Sequence, residues 1–128
     1  MNENELSHLI IGAAIEVHRE LGGPGLLEEI YEEALCCELE MKGLEVQRQV
    51  SVPVVYKGRE LSKLYRLDLL VSGLVVVECK ATEKDNSLFR AQCLTQLRLT
   101  GLKLGLVINF GNRFLKDGVH RVVNGLDA

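Results

Sequence analysis

Two predicted strands of this 128-residue chain carry charged side chains inside otherwise apolar stretches. The first, residues 65–71, contains Asp68; the second, residues 75–81, contains Glu78 and Lys80. An unpaired charge buried in a protein is costly, so these residues need a structural or a chemical reason. Because strand side chains alternate between the two faces of a sheet, Glu78 and Lys80 are predicted to share one face.

The residue types suit metal-assisted chemistry on a phosphate. Two carboxylates and a backbone carbonyl on neighbouring strands are the hard oxygen ligands that Mg²⁺ or Mn²⁺ prefers. A nearby lysine can orient or help deprotonate an attacking water and offset phosphate charge. Asp68, Glu78 and Lys80 therefore form a candidate phosphodiester-hydrolysis site, although structural ion pairs that include Arg66 would give the same spacing.

The turn between these strands sets a geometric condition. A two-residue hairpin loop at Ser72-Gly73 would pair Asp68 with Val77 and leave Glu78 on the opposite face. A shared site requires an odd-length loop or a β-bulge that brings Asp68 opposite Glu78. We predict that feature.

The remaining pattern predicts the elements that position these residues. Apolar residues at helical spacing, glycine-rich breaks and β-branched runs predict three helices and five strands. A proline at position 53 suggests that the first strand is an edge strand or contains a bulge. The order α-α-β-β-β-α-β-β predicts an α/β layer fold with a mixed sheet. The predicted helices are Leu6–Leu21, Leu26–Met41 and Asn86 or Ser87 to Thr100, and the strands are Glu45–Tyr56, Leu64–Val71, Leu74–Ala81, Leu104–Phe110 and Val119–Val123.

Length and composition indicate one domain, residues 1–128, with 47% hydrophobic residues and a sizeable core. No apolar run reaches the roughly 18 residues of a membrane span, and the acidic N-terminus lacks the layout of a signal peptide. We therefore expect a cytoplasmic protein. The four cysteines show no zinc-site spacing and are expected to be reduced thiols.

Charge is divided unevenly along the chain, whose net charge is −3. Residues 1–45 contain eleven acidic and two basic residues, whereas residues 46–128 contain seven acidic and thirteen basic residues. The second part could face phosphates while the first stays in solvent. Glutamate-rich helix surfaces alone would also explain the acidic part.

A resemblance to a known family covers residues from about 6 to 124. The stretch Gly25-Leu-Leu-Glu28-Glu-Ile-Tyr31 matches the signature of the GxxExxY proteins, and the match continues through 17–22, 65–68, 78–80 and 104–110. That family is a branch of the PD-(D/E)XK nuclease superfamily. The resemblance implies a restriction-endonuclease-like α-β-β-β-α-β core, with a mixed central sheet flanked by helices, and Mg²⁺- or Mn²⁺-dependent hydrolysis of DNA or RNA.

The resemblance also implies roles for individual residues. Asp68 and Glu78 would be the acidic metal ligands, with the Cys79 backbone carbonyl completing the inner shell. Lys80 would be the catalytic lysine. Glu28 would be the helix carboxylate that completes or supports the metal site in some superfamily members.

The helix after the catalytic strands departs from the superfamily pattern. Related nucleases often carry Q-x-x-x-Y there, whereas this chain has Gln92-Cys-Leu-Thr-Gln96. Gln92 and Gln96 share a helix face and are candidate contacts to substrate or to the metal shell. Arg66 is either a phosphate contact or a structural partner of Asp68. Tyr31 is expected to pack beside Glu28.

The sequence thus favours a metal-dependent nuclease whose partner is nucleic acid. The alternative is a non-catalytic nuclease-like module that binds nucleic acid or protein, which the small size and the negative net charge keep open. A homodimer would enlarge the binding surface, but the sequence does not establish one.

Overall fold

The computed structural model describes residues 1–126, and its architecture is a mixed sheet between helices. Three α-helices and a five-stranded main sheet account for most of the chain, and a two-stranded hairpin and a short 3-10 helix are additional. The helices are α1 (Glu3–Glu20), α2 (Glu28–Met41) and α3 (Ser87–Thr100), with a 3-10 helix at Leu115–Gly118. The strands are β1 (Val46–Val52), β2 (Val55–Tyr56), β3 (Arg59–Glu60), β4 (Tyr65–Val71), β5 (Val75–Lys80), β6 (Leu104–Asn109) and β7 (Val119–Val123).

The main sheet has the strand order β1-β4-β5-β6-β7. Strands β5 and β6 are parallel, because α3 crosses over between them, and the other neighbouring pairs are antiparallel. This is the predicted α/β fold, a restriction-endonuclease-like core with a mixed central sheet flanked by helices. The central strands β5 and β6 are buried almost throughout, and most of their residues are apolar on both faces, which is typical of strands covered on both sides.

Apolar side chains form one cluster on each face of the sheet. The cluster on one face includes Ile10 of α1 and Leu35 of α2 together with Val77 of β5. The cluster on the other face joins Leu97 of α3 to Val76 of β5. Burial of each large aliphatic side chain contributes about 1.5–3 kcal/mol relative to exposure, so both layers hold the sheet.

The predicted C-terminal ends of the three helices are confirmed to within one residue, whereas α1 begins at Glu3 rather than at Leu6. Asn2 caps α1 in a capping box with Glu5, and Asn86 caps α3 by accepting from the Leu88 amide. Gly101 ends α3 with φ +74°, a left-handed conformation that favours glycine. Helix α2 begins at Glu28 rather than Leu26, and the Leu27 side chain before it is exposed instead of facing the core.

The predicted strand 45–56 is wrong in extent, because it is broken at Pro53. Strand β1 ends at Val52, and residues 55–60 form the separate hairpin β2–β3. Proline has no amide hydrogen to donate, so it cannot continue the ladder with β4. The edge position suggested by Pro53 is confirmed, since β1 is the first strand of the sheet. A turn at Lys57-Gly58 closes the hairpin, with φ of +48° and +79°.

The four cysteine thiols are free, as expected, with Cys37 exposed and the other three buried. Among residues 1–126, the helices include none with the length and apolar character needed to cross a membrane.

Candidate functional site

The loop between β4 and β5 has the odd length that a shared site requires. Val71 pairs with Val75, so the loop contains three residues, and the ladder continues to Leu69 opposite Val77. The next position in this register brings Asp68 opposite Glu78. The predicted register is confirmed.

At that next position, carboxylates take the place of backbone ladder bonds. The Asp68 amide donates to Glu78 Oε2 at 2.8 Å, and the Cys79 amide donates to Asp68 Oδ2 at 2.9 Å. Each strand therefore binds the acidic side chain of the other. The two carboxylates are fixed in the gap where β4 and β5 stop pairing through their backbones.

Strands β1 and β4 change face at the same point. Leu69 packs in the cluster under α1 and α2, whereas Leu67, two residues earlier, packs in the cluster under α3. In a regular strand, residues two apart share a face. In β1, Val46 packs in the first cluster and Val50 in the second, although residues four apart in a regular strand share a face. Gln49 lies between them, opposite Asp68 in the register, and has φ +52°.

Glu78 is the more buried of the two acids, with 7% of its surface exposed. The Gln96 side chain on α3 donates from Nε2 to Glu78 Oε1 at 2.9 Å. This hydrogen bond fixes the position of the Glu78 carboxylate. Because Gln96 is itself buried, its side chain is not exposed to contact a substrate.

Burial raises the pKa of both acids. The pKa of Asp68 rises to about 7, mainly because burial disfavours its charge and secondly because Glu78 is close. Burial also raises the pKa of Glu78, against the opposing hydrogen bonds from the Asp68 amide and from Gln96 and the nearby charge of Lys80. Burial is therefore the main reason why both carboxyl groups resist ionisation.

Lys80 ends β5 on the α3 side, as its predicted common face with Glu78 requires. Its Nζ lies 4.7 Å from the centre of the Phe89 ring on α3, which is a cation–π distance. Its charge also acts on Glu28: burial raises the pKa of Glu28, and Lys80 partly opposes that shift. Lys80 is therefore electrostatically coupled to Glu28 of α2 and to Glu78 of its own strand.

An acidic cleft of about 410 Å³ opens between α2, β1 and β4. Asp68 is the sheet carboxylate that lines it, and Glu28 is one of several glutamates that α2 contributes. The remaining lining residues are Glu29, Glu32, Glu33, Arg48 and Gln49. This cleft brings the helix carboxylate predicted at Glu28 to the same opening as Asp68.

Comparison with known families agrees with this geometry. The model of the PD-(D/E)XK nuclease superfamily matches residues 4–122, nearly the whole chain. This chain belongs to the PD-(D/E)XK nuclease superfamily. No curated protein and no solved structure matches it.

Glu32 is a residue of this PD-(D/E)XK domain that the sequence analysis missed. It is 5% exposed, and its carboxylate accepts from Arg48 Nη2 at 3.1 Å and from Gln49 Nε2 at 2.9 Å. Its charge also contributes to the raised pKa of Asp68. Its position four residues after Glu28 puts it on the same face of α2, but the sequence alone does not distinguish it from the other glutamates of this helix.

Tyr31 has a different place from the one predicted beside Glu28. Its ring stacks on Phe110 with centroids 4.7 Å apart. Its hydroxyl donates to the Gly23 carbonyl at 2.7 Å and accepts from the Leu26 amide at 3.2 Å. The tyrosine of the GxxExxY stretch therefore ties the α1–α2 loop to the core and fixes where α2 begins.

The direction of the Cys79 peptide groups follows from the contacts of β5 with its two neighbouring strands. The Phe110 amide donates to the Lys80 carbonyl at 2.7 Å, so the peptide groups of Lys80 face β6. Successive strand residues direct their peptide groups to opposite neighbours. Those of Cys79 therefore face β4, as its bond to Asp68 shows.

Two other predicted contacts lie outside this cluster. Arg66 is exposed and forms no ion pair with Asp68 within residues 1–126. Its predicted role as the structural partner of Asp68 is therefore wrong in this structure. Gln92 is half-buried on α3, one turn before Gln96.

The donor chemistry fits a divalent cation. Asp68 and Glu78 supply hard oxygen ligands; burial raises the pKa of both, and a Mg²⁺ or Mn²⁺ ion would favour their charged forms. Each carboxylate oxygen has two lone pairs, so the amide contacts leave acceptor capacity. Across residues 1–126, no three His, Cys, Asp or Glu side chains are already spaced to hold an ion, so the ligands would have to adjust on binding.

Proposed function

We propose that this protein is a metal-dependent nuclease that hydrolyses phosphodiester bonds of DNA or RNA. The observation that carries the proposal is the interlocked pair Asp68 and Glu78, with Lys80 two residues along the same strand. Superfamily membership supports a nucleic-acid substrate. The finer resemblance to GxxExxY proteins, through Gly25, Glu28 and Tyr31, is part of the proposal.

Asp68 and Glu78 would hold Mg²⁺ or Mn²⁺, together with the Cys79 carbonyl and with Glu28 as the ligand from α2. When bound, such an ion polarises a phosphate oxygen and lowers the pKa of a coordinated water. Gln96 keeps the Glu78 carboxylate in place, and Lys80 orients the attacking water and offsets phosphate charge.

The acidic cleft explains why the activity would depend on the metal. Glu28, Glu32 and Asp68 make its opening electronegative, which repels a polyanion. Neutralising part of that charge is a precondition for a phosphate to approach Asp68. Binding of the cation and approach of the substrate are therefore expected to be coupled.

A cytoplasmic location and a homodimer stay predictions. Cell fractionation and sedimentation equilibrium would test them.

The second candidate function is a non-catalytic module that binds nucleic acid or protein. Both Glu78 oxygens already accept protein hydrogen bonds, and the ligands within residues 1–126 are not spaced for an ion beforehand. These features favour a domain that keeps the fold and has lost the chemistry.

Cleavage assays separate the two candidates. Single-stranded, duplex and branched DNA and RNA are incubated with the purified protein in Mg²⁺, Mn²⁺ or EDTA. We expect cleavage only with metal, and a loss of roughly 10²-fold or more in Asp68→Asn and Lys80→Met, which remove a ligand and the water-orienting group.

The matched controls are Asp117→Asn and Lys116→Met, which make the same changes at exposed positions of the 3-10 helix. They should keep wild-type rates. Cleavage that persists in Asp68→Asn and Lys80→Met would indicate a contaminating nuclease. No cleavage of any substrate, with intact folding, would favour the binding module.

A further inference from the structure

The hairpin β2–β3 and its flanking residues form a cationic arm, which we define as residues 53–66. The arm contains Lys57, Arg59, Lys63 and Arg66 against the single acid Glu60. All four basic side chains are exposed. Within residues 1–126, none of them forms an ion pair with a carboxylate. The arm therefore presents positive charge that the fold itself does not use.

The arm joins the sheet at the edge that contains the candidate site. It runs from the end of β1 into the first residues of β4, and Asp68 lies three residues after Tyr65, about 10 Å along the strand. Because β5 is antiparallel to β4, it ends at Lys80 on this same edge. A ligand that contacts the arm is thus bound at the same end of the strands as Asp68 and Lys80.

The arm also exposes apolar and aromatic surface. Tyr56 is 60% exposed and Val55 59%, and Lys57 Nζ lies 5.5 Å from the Tyr56 ring centre. Within the described residues 1–126, the two-residue strands pair with each other in a small sheet separate from the main one. Basic side chains interleaved with an exposed aromatic ring are the combination that binds a nucleic-acid strand, through phosphate pairing and base stacking.

We propose that this cationic arm binds the sugar-phosphate backbone of the nucleic acid and delivers it to the Asp68–Lys80 edge. The inference rests on the proposed function and deepens it by assigning the substrate-binding surface. The cleft at Asp68 is acidic and does not attract a polyanion by itself. The basic residues of the neighbouring arm would supply that attraction.

Binding is tested in EDTA, so that cleavage does not interfere, with fluorescent single strands and duplexes of about 20 nucleotides, longer than one single-strand site, at several salt concentrations. The test variant is Lys57→Asn with Arg59→Gln; asparagine tolerates the left-handed backbone at position 57. The matched control is Lys42→Gln with Lys103→Gln. Both control residues are exposed, and Lys103 precedes β6 at the opposite edge of the sheet.

We expect the test variant to bind more weakly than the wild type. The plot of log K against log salt should become less steep by roughly 1.4 for single strands, about 0.7 for each of the two lost phosphate contacts. The control should keep the wild-type slope. Three results would overturn the inference. They are equal slopes in the wild type and the test variant, an equal change of slope in the test and control variants, and no binding by the wild type.

Cleavage in Mg²⁺ is measured in parallel and judges the nuclease separately. If the wild type cleaves but the slopes do not change, the protein is a nuclease and the arm does not bind the substrate. If binding depends on the arm but no cleavage occurs, the arm binds nucleic acid and the nuclease proposal is wrong.

Discussion

At the scale of single residues, Asp68 and Glu78 stabilise each other's position while they oppose each other's charge. Their carboxylates accept amide hydrogen bonds across the β4–β5 gap, which favours ionisation. For Asp68, burial and the nearby charge of Glu78 outweigh its hydrogen bond, and its pKa rises to about 7. The pair is thereby made sensitive both to pH and to a cation.

This shift predicts the pH dependence of stability in the metal-free protein. Because the pKa of Asp68 rises from 3.8 to about 7 on folding, folded protein binds a proton between these values that unfolded protein has released. The contribution of Asp68 to the free energy of unfolding is therefore present at low pH and lost as the pH rises toward 7. Asp68→Asn should be more stable relative to wild type at about pH 8 than at about pH 5, measured by urea unfolding in EDTA. An equal difference at both pH values would contradict the raised pKa.

At the scale of elements, the ends of β5 and β6 are joined by one buried side chain. Asn109 accepts from the Thr82 and Gly111 amides and donates to the Thr82 carbonyl and hydroxyl oxygens, at distances of 2.9–3.1 Å. These bonds fix the chain just after Lys80. The position of the lysine thus depends on a strand that is distant in the sequence.

Replacing Asn109 by alanine should leave several of these polar groups without partners. We expect Asn109→Ala to lower the free energy of unfolding by about 2–4 kcal/mol, measured by urea denaturation. Asn124→Ala is the matched control. Its side chain makes one bond, to the Leu102 carbonyl, at the opposite edge, and its loss should cost about 1 kcal/mol. Equal losses in both variants would show that the Thr82 contacts contribute little.

At the scale of the whole molecule, acidic residues from the first part of the chain and basic residues from the second part lie at the same end of the sheet. The acidic first part of the chain supplies α2, with Glu28 and Glu32 at the cleft, and the basic second part supplies the cationic arm. A cation bound by Glu28 and Asp68 would join the helical layer to the sheet. Metal binding and global stability should then be linked.

Mg²⁺ at about 100 times its Kd should stabilise the protein by roughly 2.7 kcal/mol, because it binds the folded state alone. Asp68→Asn should abolish this gain and Glu28→Gln should reduce it. Glu20→Gln, an exposed acid at the end of α1, should retain it. Thermal unfolding with and without Mg²⁺ gives the measurement. Stabilisation that survives in Asp68→Asn would place the cation elsewhere.

The sequence by itself determined the element order, because apolar periodicity, the asparagine caps and glycine breaks act locally. The register at Asp68 and Glu78 followed from the sequence on one condition, that the two acids share a site, since strand alternation then requires an odd loop. Tertiary structure decided what depends on contacts between distant residues: the change of face at Asp68, the Gln96 bond to Glu78, and the place of Tyr31 against Phe110. It also decided that residues 55–60 leave the main sheet, since proline at 53 ends the ladder. Asp68, Glu78 and Lys80 could be found from charge in apolar strands, whereas Glu32 could not, because glutamates are common on helix surfaces and only packing shows which is buried.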